Sequence, residues 1–154
     1  DVEDIEWMRA SASIPIASRP VKLGGKRLLD GGVSDPIPVK WMLSRGYEKN
    51  VVVLTRDVKY RKKANPKMQL FLKAVLHKYP AFLKDLEERH IHYNETLEEL
   101  SALEKEGRVH IIRPSSPIQA AMIERDESNL ERIYQTGRAD MKKDLEKLKA
   151  YLDS

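Results

Sequence analysis

The 154-residue chain contains no cysteine, which excludes a disulfide framework and any thiolate metal site. It has no run of the roughly 18 apolar residues that a membrane-spanning helix needs. Its first ten residues are acidic and mixed, without the apolar core of a signal peptide. We therefore expect a cytoplasmic protein that can also associate peripherally with a membrane.

The glycines form none of the motifs that mark common catalytic loops. The seven glycines make no G-x-G-x-x-G, no G-x-x-x-x-G-K-S/T and no G-x-S-x-G. The sequence therefore has no recognisable phosphate loop and no nucleophile elbow. Ser11 and Ser13 are the most suggestive serines, but small residues at a helix end indicate close packing more often than catalysis.

The histidines do not have the spacing of metal ligands. His90 and His92 are two positions apart, which places them about 200° apart around a helix, so they cannot bind one ion together. Because no thiolate and no helical ligand pair is present, we expect neither a metal nor a cofactor.

Charge is unevenly distributed along the chain, whose net charge is +4. Residues 56–78 carry eight basic side chains and one acidic one, whereas residues 84–106 carry eight acidic and three basic ones. The simpler interpretation is a pair of solvated helices of opposite charge. The basic stretch could instead contact anionic lipid headgroups. Nucleic-acid binding is a weaker third option, and we do not expect it, because no nucleic-acid-binding module is recognisable.

The first third of the chain has the pattern of an α/β fold. Residues 1–13 predict the end of a helix, and residues 20–29 predict two short strands around Gly24 and Gly25. A helix is predicted at about 38–45. The apolar, β-branched run Val51–Thr55 then predicts a strand buried on both faces, with residues 109–112 as a parallel neighbour.

The remainder is predicted to be largely helical. Asn65 and Pro66 are a typical helix start, and apolar residues at helical spacing continue from Pro80 to about Gly107. Ser128 and Glu131 form a capping box. It predicts a short helix that ends near Gly137, followed by a separate last helix.

Asp30-Gly31-Gly32 is first of all a turn signal. A second interpretation is chemical. A carboxylate at a strand end, followed by residues without a Cβ, can be approached closely by another loop. There it could act as general base toward a serine hydroxyl. The residues alone leave both interpretations open.

The sequence resembles the patatin-like phospholipase family in an ordered series over residues 8–55. Residues 10–15 are similar to the family's Ala/Ser-rich segment, and residues 20–29 to its hairpin. Asp30-Gly31-Gly32 matches the Asp-Gly-Gly/Ala motif, and residues 33–39 match what normally follows it. Further along, residues 109–114 and the acid-rich helix toward Gly137 are similar only in style to the bacterial members.

This resemblance implies a fold and a chemistry. The chain would be the C-terminal fragment of a three-layer α/β/α fold with a largely helical C-terminal half. The family hydrolyses lipid acyl esters with a Ser-Asp dyad, without a catalytic histidine and without calcium. The dyad aspartate carries over to Asp30, and Gly31 and Gly32 form its turn. Lys22, Lys26 and Arg27 are weaker candidates for holding an anionic headgroup.

The missing G-x-S-x-G is the main departure from the family. The dyad serine precedes the aspartate in the family, so we expect an upstream segment of the same protein to supply it and the chain alone to be inactive. The corresponding domain division assigns residues 1–60 to the C-terminal part of the catalytic domain and residues 61–108 to a charged helical insertion or cap. Residues 109–154 form a strand with C-terminal helices. The alternative is a non-catalytic binding or regulatory module that associates with an anionic membrane surface or a protein partner.

Overall fold

The computed structural model describes residues 2–121 and 124–154, with side chains from residue 4 onward. In chain order the elements are α1 (Val2–Ser11), β1 (Val21–Leu23), β2 (Lys26–Leu28), α2 (Val39–Ser44), β3 (Asn50–Val53), α3 (Pro66–Leu76), α4 (Pro80–Lys105), β4 (Val109–Ile112) and α5 (Glu127–Asp153). A 3-10 turn at Gly31–Val33 follows β2. This mixture of helices and two small sheets, in which helix predominates, agrees with the α/β class.

The described chain divides into two compact units. One contains the described residues up to Pro38 together with Lys62–Glu95, and the other contains Val39–Arg61 with the described residues from Thr96 onward. None of the described helices combines the length and the apolar character that crossing a membrane requires. The division into 1–60, 61–108 and 109–154 stays a prediction about domain organisation.

The first unit contains the predicted hairpin. β1 and β2 pair antiparallel, with Val21 opposite Leu28. Gly24 and Gly25, with φ of +54° and +73°, form the connecting turn, a backbone region that favours glycine. Val21 is almost fully buried in the core of this unit. The predicted hairpin is confirmed.

Helix α3 and the part of α4 up to Glu95 complete the first unit. The Asn65 side chain accepts a hydrogen bond from the Met68 backbone N–H at 3.1 Å, and Pro66 is the first residue of α3, as the cap pattern predicts. α4 begins at Pro80. Lys73 on α3 pairs with Glu87 on α4 at 2.8 Å. At this point the basic and acidic segments face each other, as the simpler interpretation of the charge pattern predicts.

The second unit contains a two-stranded parallel sheet. β3 and β4 pair from Asn50 with Val109 to Val53 with Ile112, which confirms the predicted parallel arrangement. Val109 and Ile111 are buried. Tyr151 of α5 accepts a hydrogen bond from the Asn50 N–H at 2.8 Å and donates one to the Arg108 carbonyl oxygen at 2.9 Å. The last helix is thereby fixed at the start of both strands.

The prediction that β3 is buried on both faces is wrong for the described structure. Val51 is 42% exposed and Val53 is 69% exposed. Alternate residues of a strand point to the same face, so these two valines form one open apolar face. Within residues 2–121 and 124–154, β3 pairs with β4 alone.

The prediction of two helices in the C-terminal region is also wrong. α5 runs without a break from Glu127 to Asp153 through Gly137. The helix cap is Asp126 rather than Ser128, because the Asp126 carboxylate accepts from the backbone N–H groups of Ser128 and Asn129. A single interior glycine costs only about 1 kcal/mol, which good helix formers on both sides outweigh.

Candidate functional site

Asp30 lies between β2 and the 3-10 turn, where its carboxylate caps the turn. Its Oδ1 accepts a hydrogen bond from the Gly32 backbone N–H at 2.7 Å. The Val33 N–H donates a hydrogen bond to the Asp30 carbonyl oxygen at 3.2 Å. Asp30 is partly buried. One carboxylate oxygen is therefore fixed by the turn. Among the described residues no hydrogen-bond partner is found for the second carboxylate oxygen, which can accept a hydrogen bond from a further donor.

The backbone of Asp30 is fixed from the other side as well. Its N–H donates to the Ser13 carbonyl oxygen at 2.9 Å, just beyond the end of α1. Asp35 N–H donates to the Gly31 carbonyl oxygen at 2.9 Å. The short segment that carries the carboxylate is thus held by hydrogen bonds before, within and after the turn.

Gly32 lies in a confined position. A Cβ at residue 32 would lie 3.1 Å from Asp30 Oδ1 and 3.6 Å from Nη2 of Arg89. A Cβ at Gly31 would meet only Ser11 Oγ, at 3.9 Å. The absence of a side chain at residue 32 lets the Asp30 carboxylate reach the Gly32 amide without crowding.

Arg89 is a site residue that sequence reasoning missed. It lies on α4, and its Nε donates to the Gly32 carbonyl oxygen at 2.7 Å. The two residues are 57 positions apart in the chain, and no local motif connects them. The only sequence signal was a basic residue within an acid-rich helix.

Neither candidate serine is placed as a nucleophile for Asp30. Ser13 is 5% exposed, and its Oγ donates to the Arg9 carbonyl oxygen at 2.7 Å. This is a helix-end contact of the kind that serine commonly makes. Ser11 is exposed at the end of α1, and its Oγ is the atom that a Gly31 side chain would contact.

Lys22, Lys26 and Arg27 are all exposed on the hairpin. Lys22 lies opposite Arg27 and Lys26 lies opposite Leu23. Consecutive strand residues point to opposite faces, so Lys26 lies on the other face from the Lys22 and Arg27 pair. Arg27 donates to the Tyr79 hydroxyl at 3.1 Å. The three cations therefore do not form one cluster.

The histidines are engaged in separate local contacts. His90 Nδ1 lies 2.9 Å from the Glu87 carbonyl oxygen. His110 Nε2 lies 2.5 Å from Asp144 Oδ2, joining β4 to α5. Within the part of the chain that the structure describes, no group of three His, Asp or Glu side chains is arranged to hold a metal ion.

Comparison with known families divides the chain into two matched regions. A family model for patatin-like phospholipases matches residues 1–43, and one for a domain of unknown function, DUF6363, matches residues 79–153. No curated protein and no solved structure matches significantly. Each family match covers less than half of the chain. The resemblance to patatin-like phospholipases is thus confirmed for an N-terminal stretch that contains the Asp30 turn, and it indicates a relationship to lipid hydrolases at the family level.

Proposed function

We propose that this chain is part of a patatin-like serine acyl-ester hydrolase and supplies the aspartate of its Ser-Asp dyad. The observation that carries the proposal is the Asp30 turn. One carboxylate oxygen is bound to the Gly32 N–H at 2.7 Å, and the turn lies inside the stretch that matches patatin-like phospholipases. A carboxylate fixed through one oxygen has its other oxygen available for a serine hydroxyl.

In the proposed mechanism, Asp30 accepts the proton of the serine hydroxyl as the serine oxygen attacks the acyl carbon. Asp30 gives this proton to the alcohol oxygen as the ester C–O bond breaks, so the alcohol leaves and an acyl-serine remains. Water then attacks this acyl group, and Asp30 accepts the proton of the water. Asp30 then passes this proton to the serine oxygen as the bond between the acyl carbon and that oxygen breaks, which releases the fatty acid and restores both the serine hydroxyl and the Asp30 carboxylate. The serine comes from an upstream segment of the same protein, because these 154 residues contain no G-x-S-x-G.

The proposal extends to the fold and the substrate. The three-layer α/β/α arrangement would be completed by the upstream segment, and the open face formed by Val51 and Val53 is consistent with additional packing there. The substrate would be a lipid acyl ester, and Lys22, Lys26 and Arg27 would contact an anionic headgroup only individually. A cytoplasmic, membrane-peripheral location fits this substrate.

Asp30→Asn tests the proposal in the longer protein, meaning this chain together with its upstream serine segment. Asparagine keeps an oxygen for the Gly32 N–H but cannot serve as a base. Esterase activity on a soluble nitrophenyl ester should fall about 10²- to 10⁴-fold, the usual contribution of general base catalysis. Asp35→Asn is the matched control, because Asp35 is exposed in the same loop. Full activity in Asp30→Asn would refute the proposal.

A second candidate function is a binding module for an anionic membrane surface. The observation that favours it is an exposed basic group on residues 56–61 beside a cleft of about 420 Å³, which Lys59, Tyr60 and Ser115 help to line. Arg56 lies 5.1 Å from the Tyr60 ring centroid. Sedimentation with anionic vesicles should show binding that weakens as salt increases. Equal binding to zwitterionic vesicles, or none to anionic ones, would exclude this role.

A further inference from the structure

We propose that Arg89 is the positioning residue for Asp30, so that helix α4 fixes the turn that carries the dyad aspartate. The inference rests on the proposed function of Asp30. It assigns a role to a residue in the region that matches a domain of unknown function. Gly32 lies in the stretch that matches patatin-like phospholipases, so the contact joins the two matched regions.

Gly32 is bound on both sides of its backbone. Its N–H donates to Asp30 Oδ1 at 2.7 Å, and its carbonyl oxygen accepts from Arg89 Nε at 2.7 Å. The same glycine therefore links the guanidinium to the carboxylate. Loss of the Arg89 bond removes one restraint on Gly32, so the donor that orients the Asp30 carboxylate is held less firmly.

The guanidinium is also close to the carboxylate in space. Arg89 Nη2 lies 3.6 Å from the position of a Gly32 Cβ, and Asp30 Oδ1 lies 3.1 Å from that position. Both groups thus border the same small volume on one side of the turn. Arg89 is partly buried, which restricts the rotamers that its long side chain can adopt.

Arg89 donates its hydrogen bond to this turn, although many acidic side chains lie on its own helix. Among the described residues Arg89 forms no ion pair, while Glu87 beside it pairs with Lys73 at 2.8 Å. A hydrogen bond from a charged donor is about twice as strong as a neutral one. A guanidinium also offers several donors in a fixed plane, which lysine does not. A contact of this kind is suited to holding a catalytic turn.

The expected effect is on the catalytic step and not on substrate binding. A displacement of about 1 Å in a catalytic group can cost about 10²-fold in rate. In the longer protein, Arg89→Met should therefore lower kcat by about 10- to 100-fold with KM within about twofold. Lys84→Met, an exposed cation on the same helix, is the matched control and should leave both constants unchanged.

A double-mutant cycle separates positioning from a general structural role. If Arg89 acts through Asp30, adding Arg89→Met to Asp30→Asn should lower the residual activity by less than about twofold. A loss as large as that of Arg89→Met alone would show that Arg89 acts independently of Asp30, and would overturn the inference. Circular dichroism and thermal unfolding of each variant establish that the proteins compared are folded.

The remaining outcomes are also decisive. Wild-type kcat in Arg89→Met, together with an inactive Asp30→Asn, would overturn the role of Arg89 and leave the proposed function intact. Full activity in Asp30→Asn would refute the proposed function, and this inference with it. If Arg89→Met does not fold, kcat and KM of Arg89→Lys are measured instead. A kcat lowered at constant KM supports positioning by the planar guanidinium, and a wild-type kcat overturns it.

Discussion

The backbone N–H of Asp30 donates a hydrogen bond to the carbonyl oxygen of Ser13, 2.9 Å away. The Ser13 hydroxyl takes no part in this bond, because it donates to the Arg9 carbonyl oxygen at 2.7 Å. The end of α1 therefore supports the Asp30 turn through its backbone. Ser13 therefore has a structural role here, and the nucleophile of the proposed hydrolase is a different serine.

Ser13→Ala should leave the esterase activity of the longer protein within about twofold, because the contact with Asp30 is made by the backbone. Losing the buried hydroxyl should lower the free energy of unfolding by about 1 kcal/mol. Activity on a nitrophenyl ester and chemical denaturation measure the two effects. Loss of activity in a variant that is folded would show that Ser13 contributes to catalysis.

Tyr151→Phe should destabilise the second unit. The Tyr151 hydroxyl accepts from the Asn50 N–H and donates to the Arg108 carbonyl oxygen, and Asn50 is only 8% exposed. Removing the hydroxyl leaves the Asn50 N–H with only its longer bond to the Arg108 carbonyl oxygen at 3.3 Å, so the cost should be about 0.5–1.5 kcal/mol, the usual net value of one hydrogen bond. Denaturant unfolding of the 154-residue chain measures the change. Tyr134→Phe is the control, since Tyr134 is 55% exposed, and equal stability of the two variants would contradict the assignment.

Gly137→Ala should stabilise α5. A Cβ at residue 137 meets no atom within 4 Å, so alanine adds helix propensity without a clash. The expected gain in the free energy of unfolding is about 0.5–1 kcal/mol. Gly107→Ala is the opposite case, because Gly107 has a φ of +72° and alanine there should cost about 1 kcal/mol. Thermal melting measures the stability of both variants against the wild type. A melting temperature of Gly137→Ala below that of the wild type would show that α5 does not continue through this position.

The cap of α5 should make stability depend on acid pH. Hydrogen bonds from the Ser128 hydroxyl and from the Asn129 and Ser128 N–H groups hold the pKa of Asp126 below its ordinary value of 3.8. The carboxylate's contribution is therefore complete above pH 3.8 and is lost as pH falls through the lower, folded-state pKa.

Asp126→Asn tests this dependence, because asparagine remains a good cap but does not titrate. Between about pH 5 and pH 2, its melting temperature should fall less than that of the wild type. Asp126→Ala should be less stable than wild type above pH 3.8, where the charged cap is complete. Identical acid dependence of the wild type and Asp126→Asn would contradict the role of Asp126.

Local signals in the sequence were sufficient for the elements near the candidate site. The glycine pair at 24 and 25 and the cap at Asn65 predict the hairpin and the start of α3, because both depend on neighbouring residues. The environment of Val53 was not predictable in the same way. A β-branched apolar run indicates a strand, but its burial depends on elements that pack against it from elsewhere.

The candidate site was predictable only where it is local. Asp30 and its two glycines form a motif within three positions. The Arg89 contact comes from tertiary packing that brings α4 to Gly32, and no spacing rule connects residues so far apart in the chain. At Gly137 a local signal was present but gave the wrong prediction. A residue that often ends helices lies here inside one, since the helix-forming residues on both sides outweigh its cost.

The most direct test of the account is fluorophosphonate labelling, which marks activated serines. We predict that the 154-residue chain is not labelled. The longer protein with its upstream G-x-S-x-G segment should be labelled rapidly, and Asp30→Asn should abolish this labelling. Labelling of the 154-residue chain itself, or undiminished labelling of the longer protein with Asp30→Asn, would contradict the claim that Asp30 activates a serine supplied from upstream.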